Sequence, residues 1–252
     1  NPFTGSARST AMGHTHLLNS TGSGNSRSNP ANLAALKSNL EFDIQIDRFS
    51  VFERWSLPVR DSFGEFLTMA DYVSNNFSQY GFRGGLSAST SLLEFGKIGL
   101  GFHYSPLSHF TYHYSEEVRG RYNIEDGEYA SKDPFVGYQN LSIDGTPMVI
   151  SLGGGIQLNM LQENNLSIGI ALNIIQSTKV TDEVSVDTLY SDVTNLSTLP
   201  DMNSTTEMPT TNFINFSSTL NLTSHVKLGV SWEKEAKTTT TQYSLSIDST
   251  SS

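Results

Sequence analysis

Three segments of the chain alternate apolar and polar residues with a period of two, and they span residues 148–160, 166–175 and 220–232. Because successive side chains of a β-strand point to opposite faces, this period predicts strands. Strands of soluble proteins usually run about 5–6 residues, whereas about 9–11 tilted residues carry one strand of a barrel across a bilayer. A long strand with one apolar face and one small or polar face is typical of an outer-membrane β-barrel.

The composition agrees with a barrel and excludes several other classes. Charged residues are 16% of the 252 residues, below the soluble average of about 25%. Uncharged polar residues and glycines suit the lumen side of barrel strands. The net charge of −10 argues against a nucleic-acid partner, since such a partner requires a basic face. The absence of cysteine excludes a disulfide-stapled scaffold.

The first predicted strand, residues 40–47, carries acidic residues on its polar face. Glu41, Asp43 and Asp47 alternate with apolar residues. This pattern fits either a negatively charged patch inside a barrel or the solvated outer face of a soluble sheet. In the first case, the carboxylates could accept hydrogen bonds from Arg8 or Arg27.

Residues 49–80 are rich in aromatic side chains and show no regular period. This density fits an aromatic girdle or a constriction between strands, or equally a small core beneath a loop. We expect the candidates for binding a hydrophobic ligand in its first part: Phe49, Phe52, Trp55, Phe63 and Phe66.

Residues 181–211 contain Pro200 and Pro209 and many Asp, Ser and Thr residues. They predict a long loop of about 30 residues. Such a loop is unusual in a compact soluble domain but ordinary on the extracellular side of a barrel.

The segment ahead of the first strand resembles the start of the FadL-like outer-membrane family, which includes channels for fatty acids and aromatic hydrocarbons and PorV-like secretion components. The resemblance rests on an Ala-Arg-x-x-x-Met-Gly segment and a later Asn-Pro-Ala triplet. The matching residues are Ala7, Arg8, Met12, Gly13, Asn29, Pro30 and Ala31.

The resemblance implies an architecture and a function. Members of the family look like barrels of about 14 strands whose N-terminal segment folds inward as a hatch and whose hydrophobic substrates bind inside. By analogy, residues 1–38 would form the hatch and residues 39–252 a barrel. With about eight to ten strand candidates in the sequence, we expect a barrel shortened relative to the family. The polar, glycine-rich hatch would be held through Arg8 and Asn29.

The sequence contains no catalytic signature, so we expect no enzyme, no cofactor and no metal. No serine lies in a nucleophile elbow, and the histidine pairs His14/His16 and His109/His113 have no evident third ligand. The run from Gly153 to Gly155 has no phosphate-loop context. In a barrel strand, such glycines permit bending or close approach of the hatch.

These observations predict an all-β transmembrane antiparallel barrel in a bacterial outer membrane. The predicted function is passive uptake of a hydrophobic small molecule, either fatty-acid-like or aromatic. One alternative is a scaffold or secretion-system component that binds a protein partner through its extracellular loops. The alternative fold is a secreted β-sandwich or adhesin, in which the apolar faces would be buried against a second sheet instead of facing membrane lipids.

Overall fold

The computed structural model describes residues 22–92, 95–119, 135–160, 164–189, 201–222, 226–235 and 239–247. These residues form twelve strands and three short helical segments. Within them, no helix has the length and apolar character to cross a membrane. The strands are β1 (Leu40–Arg60), β2 (Phe66–Leu92), β3 (Gly96–Pro106), β4 (Tyr112–Arg119), β5 (Phe135–Asp144), β6 (Met148–Asn159), β7 (Asn165–Ile175), β8 (Thr178–Thr188), β9 (Asp201–Met208), β10 (Thr211–Asn221), β11 (Lys227–Glu233) and β12 (Thr241–Ile247).

All twelve strands belong to one antiparallel sheet. The predicted all-β antiparallel class is therefore confirmed, with more strands than the sequence suggested. In the described residues these strands form one continuous hydrogen-bonded sheet. Among the described residues, β1 pairs with β2 alone, and β11 and β12 each pair with a single neighbour.

The registers join ten of the twelve strands into longer paths. Thr211 pairs with Ile175 in β10 and β7, and Met208 pairs with Thr178 in β9 and β8. Between these two pairs the backbone advances by three residues on each side, from 175 to 178 and from 208 to 211. Strand β8 therefore continues the line of β7, β10 continues the line of β9, and the two lines run side by side. The same comparison of paired residues shows that β4 continues the line of β3, β6 that of β5 and β12 that of β11. The spacings on the two sides differ by at most one residue, which corresponds to a bulge. The described sheet is thus an up-and-down meander of seven long paths.

Two bands follow from this arrangement. We call the band built from β3, β6, β7, β10 and β11 the proximal band, and the band built from β4, β5, β8, β9 and β12 the distal band. The long hairpin of β1 and β2 belongs to both, because its ends near Leu40 and Leu92 lie with β3 and its middle pairs with β4 at Val73 and Ser74.

Residues 22–36, which we call the inner segment, lie against one face of the proximal band. They form a 3₁₀ turn at Gly22–Gly24, the one-turn helix α1 at Asn25–Ser28, and a 3₁₀ helix at Pro30–Ala35. Pro30 suits the first position of its helix because that position needs no backbone N–H donor. The inner segment packs on β3, β6, β7 and β10, and we call the face that it covers the inner face of the sheet.

In the proximal band the polar residues lie on the covered face and the apolar residues on the open face, which is the reverse of a sheet in a soluble protein. Its covered inner face holds buried polar and small residues, including Ser151, Ser167 and Asn173. Its outer face is apolar and open: Ile46 is 73% and Val230 is 71% exposed. Other exposed residues of this face are Phe42, Ile44, Leu86, Leu100, Leu152, Ile156, Ile168, Ile170, Leu228 and Trp232.

The prediction of a long loop at residues 181–211 is wrong. Strand β8 reaches Thr188, β9 occupies Asp201–Met208, and β10 begins at Thr211. Leu189 is described, and residues 190–200 lie outside the described part. The sequence pattern did not predict β8 and β9 as strands, because their exposed face carries charged side chains, such as Glu183 and Asp187, and not apolar ones.

Candidate functional site

Glycines on the inner face allow the inner segment to approach the proximal band closely. A Cβ atom at Gly153 would lie 2.9 Å from the Cα atom of Ser26. One at Gly155 would overlap the carbonyl of Pro30, and one at Gly169 would overlap the backbone nitrogen of Ala31. Real Cβ atoms do not tolerate such contacts, so the backbones meet only because these positions lack side chains. Of the two roles expected for this glycine run, the structure shows close approach.

Polar side chains of the proximal band hold the far end of the inner segment. The Asn29 side-chain amide donates to Thr219 Oγ1 at 3.2 Å. The backbone N–H of Ala31 donates to Ser217 Oγ at 2.9 Å. Asn29 and Ala31 are fully buried, so these bonds form away from water, where an unpaired group would be costly.

A second set of hydrogen bonds holds the near end of the inner segment at Ser23. The backbone N–H and the hydroxyl of Ser23 both donate to the Asp43 carboxylate, each at 2.7 Å. His103 Nδ1 lies 2.8 Å from the same hydroxyl. Since the hydroxyl has one proton and gives it to Asp43, Nδ1 of His103 must be the protonated ring nitrogen and act as the donor. Ser23 lies between the other two groups, so the order of a catalytic triad, in which histidine is central, is absent.

The expected pairing of Arg27 with the acidic face is wrong. Arg27 instead donates to Ser105 Oγ at 3.5 Å and to the carbonyl of Pro106 at 3.4 Å, both at the end of β3. Burial lowers the pKa of Arg27, and the nearby Glu233 carboxylate acts in the opposite direction. The acidic face has other cationic support, because Arg83 donates to Asp47 at 2.7 Å and is itself almost fully buried.

The inner face changes character where the sheet passes into the distal band. Val73 of β2 is on the inner face and pairs with Glu116 of β4. Because directly paired residues share a face, the register identifies the inner residues of each following strand. Most are aliphatic or aromatic: Phe77, Tyr112, Tyr114, Val118, Leu141, Ile143, Val180, Val184, Val186 and Met202.

The outer face of the distal band is polar and charged. Lys179, Glu183 and Asp187 of β8 lie on it, and Lys179 pairs with Glu207 of β9 at 2.6 Å. The distal band therefore has a polar outside and an apolar inside, whereas the proximal band has the reverse.

Several polar side chains interrupt the apolar inner face of the distal band, among them Asp182, Ser204 and Thr206 of β8 and β9. Four that lie together on β2, β4 and β5 we call the distal polar cluster: Asn75, Tyr114, Glu116 and Gln139. The Tyr114 hydroxyl donates to Glu116 Oε2 at 2.7 Å. Burial and this hydrogen bond raise the pKa of Tyr114 to about 12, so the hydroxyl stays protonated. Glu116 pairs with Gln139 across β4 and β5.

Two members of the distal polar cluster are buried without hydrogen-bond partners. Asn75 is 1% exposed and Gln139 is 4% exposed. In the described part of the chain, neither polar atom of the Asn75 amide nor Nε2 of Gln139 has a partner. Buried amides are nearly always paired, so unpaired ones require an explanation.

The five aromatic residues predicted to bind a ligand are not brought together. Phe49 and Phe52 point to opposite faces of β1, and Phe63 lies in the turn between β1 and β2, 91% exposed. Trp55 and Phe66 are also more than half exposed. The inner residues Val180, Val184 and Val186 of β8 are absent from the predicted binding residues. Val184 and Val186 lie within residues 181–211, whose prolines and polar residues predicted a loop.

The residues that carry the family resemblance fall into two groups, one within the described part of the chain and one outside it. Asn29, Pro30 and Ala31 are buried in the inner segment. Ala7, Arg8, Met12 and Gly13 lie outside the described residues, as do His14 and His16. Within the described residues, no group of three or more histidine or carboxylate side chains could hold a metal ion. Comparisons with protein-family models, with curated proteins and with solved structures find no match to this chain.

Proposed function

We propose that this chain forms the wall and plug of a bacterial outer-membrane channel that admits hydrophobic small molecules. One observation carries the proposal: the sheet reverses its polarity between the two bands, so that the outside is apolar beside the inner segment and the inside is apolar beyond it. The apolar outer face and polar inner face of the proximal band fit a barrel wall with lipid outside and water or polar groups inside. An apolar interior surrounded by a water-facing exterior accounts for the distal band.

The dimensions of the proximal band support its placement in the membrane. Strands β6 and β7 have 12 and 11 residues, close to the roughly 9–11 tilted residues that cross the hydrocarbon layer. The stacked rings of Phe216 and Trp232, 5.8 Å apart, mark the outer face near the distal band. Aromatic residues are enriched at membrane–water interfaces.

The connections between strands support an orientation with the distal band outside the cell. At the proximal end the strands are joined by short stretches, such as residues 160–164 and 222–226. At the distal end, β4 connects to β5 through residues 120–134, and β8 connects to β9 through residues 189–200. In outer-membrane barrels the short turns are periplasmic and the long connections extracellular.

In this proposal a hydrophobic molecule first meets the apolar inner face of the distal band and then the inner segment. The inner segment covers the polar inner face with tight backbone contacts at Gly155 and Gly169, so it acts as the plug. Passage requires the inner segment to move or the ligand to leave through the wall beside it. The driving force for entry is removal of apolar surface from water, and no cofactor is required.

The proposal is tested by uptake of a hydrophobic dye that fluoresces on reaching the membrane interior, measured in bacterial cells whose lipopolysaccharide excludes it. Expression of the chain should accelerate uptake. Val186→Asp places a charge on the apolar inner face and should reduce the gain several-fold. Ser185→Asp, its neighbour on the outer face, is the matched control and should leave the gain unchanged. Uptake that is not accelerated by the membrane-inserted protein would contradict the channel.

A second candidate function, docking of a protein partner, is favoured by one feature of the distal band. Its outer face is charged and projects beyond the proposed membrane-spanning part, with Glu183 and Asp187 exposed. The same uptake measurement separates the two functions, because a pure scaffold would not admit the dye.

A further inference from the structure

The distal polar cluster lies within the apolar inner face that the proposed function assigns to ligand entry. Glu116 is its charged member, and its neighbours Val73, Val118 and Leu141 on the same face are apolar. Two further carboxylates share this face, those of Glu53 opposite Asn75 and of Asp182 opposite Ile143. The basic side chains Arg48, Arg54 and Lys179 of the described hairpin and of β8 lie on the outer face. Arg83 lies on the inner face, ten residues along β2 from Val73, where it pairs with Asp47. The local charge facing a ligand is therefore negative.

The hydrogen-bonding capacity of the distal polar cluster is incompletely used. Tyr114 donates to Oε2 of Glu116, and Oε1 is a second acceptor on the same carboxylate, which belongs to an inner-face residue. The Asn75 amide offers an acceptor and a donor, and the Gln139 amide offers a donor, all buried and without partners in the described residues. In the register that continues from Val73 and Ser74, Asn75 comes opposite Tyr114, so these groups form one contiguous patch across β2, β4 and β5.

We infer that the distal polar cluster binds the head group of the hydrophobic ligand, and that this head group is a cationic or neutral hydrogen-bond donor, such as an ammonium or a hydroxyl, and not a carboxylate. The inference rests on the proposed function and specifies its substrate class. An ammonium placed at Oε1 of Glu116 would form a charge-assisted hydrogen bond, which is stronger than a neutral one. A carboxylate there would face a like charge, and among the described side chains no ion pair with Glu116 offsets it.

The role of each residue follows from its place. Glu116 accepts a proton-bearing head group, and Tyr114 holds the Glu116 carboxylate through its hydroxyl. Asn75 and Gln139 offer further hydrogen bonds to a hydroxyl or amide. The surrounding valines and Leu141 contact the apolar part of the molecule.

The test compares three probes with the same eight-carbon tail: octylammonium, 1-octanol and octanoate. Their dissociation constants are measured by isothermal titration calorimetry on the full chain in amphipol. Octylammonium should bind about tenfold or more tightly than octanoate, with 1-octanol between them. This ranking is obtained from the unaltered protein, so it does not depend on any variant folding.

Two variants locate the effect. Glu116→Gln, which keeps the side-chain shape, should reduce the difference between octylammonium and 1-octanol to about threefold or less while tail binding persists. Glu183→Gln removes a carboxylate from the outer face of the same band and should preserve the full ranking.

The outcomes separate this inference from the function on which it rests. If octanoate binds as tightly as octylammonium, the head-group inference is wrong while the hydrophobic site stands. The same result, equal binding of octanoate and octylammonium, is expected if the distal polar cluster binds only water. If Glu183→Gln abolishes the ranking as strongly as Glu116→Gln does, the site is misplaced. If none of the three probes binds, the proposed function itself fails.

Discussion

At the scale of single residues, two adjacent glycines of β6 have different roles. Gly155 faces the inner segment, where a Cβ atom would overlap the carbonyl of Pro30. Gly154 faces outward, and its nearest neighbour would be Leu100 Cδ2 at 3.4 Å, an ordinary contact. The same substitution at both positions therefore distinguishes close backbone approach from simple strand propensity.

Gly155→Val should destabilise the protein by about 1–3 kcal/mol, because the added atoms must displace the inner segment. Gly154→Val should be close to neutral, since a valine there only enlarges the exposed apolar face and favours the strand. The measurement is the midpoint of urea unfolding in detergent. Equal midpoints for the two variants would show that the inner segment does not rest on β6.

At the scale of elements, the inner segment is held at two ends by separate strands, at Asp43 of β1 and at Ser217 and Thr219 of β10. These anchors lie on strands that are far apart in the sequence. If the inner segment is the plug of the proposed channel, its movement requires these hydrogen bonds to break at one end or at both.

A thiol pair tests whether the inner segment must move during uptake. The chain has no native cysteine, so Ala31→Cys with Ser217→Cys supplies the only two thiols, and a short bifunctional thiol reagent should join them. The joined protein should lose most dye uptake, and a cleavable reagent should restore it on reduction. The single variant Ser217→Cys, treated identically, should retain uptake. Full uptake through the joined protein would mean that the route does not pass the inner segment at β10.

At the scale of the whole molecule, the reversal of polarity divides the sheet into a part with an apolar outer face, which the proposed function places in lipid, and a part with a polar outer face, which it places in water. Single cysteines can report this division. Val230→Cys lies on the apolar outer face of the proximal band, and Glu183→Cys lies on the charged outer face of the distal band.

In intact cells, a membrane-impermeant maleimide should label Glu183→Cys rapidly and Val230→Cys slowly or not at all. After denaturation, both should react equally, which controls for thiol reactivity. Rapid labelling of Val230→Cys in intact cells would place the proximal band in water and contradict the membrane assignment. Protected Glu183→Cys would contradict the extracellular orientation.

The sequence by itself determined the strands of the proximal band and the side of each that is apolar. In β6 and β7 a period of two is strong because nearly every second residue is large and apolar while the intervening ones are small or polar. The third alternating segment, residues 220–232, is not the single strand that its pattern predicts, since β10 ends at Asn221 and β11 begins at Lys227. It also placed Asn29, Pro30 and Ala31 in a segment apart from the sheet. These features are local, and local pattern is what a sequence expresses directly.

The tertiary structure alone decided which face of the distal band is inside and how the strands join. In β8, valines alternate with charged residues, which fits either face of a sheet. The pairing of Val73 with Glu116, carried across β4 and β5 to β8, assigns the valines to the inner face. Likewise, the partners of Asp43 and Asp47 come from Ser23 and Arg83. Contacts between residues distant in the chain depend on register, and a single residue of slippage would reverse every face.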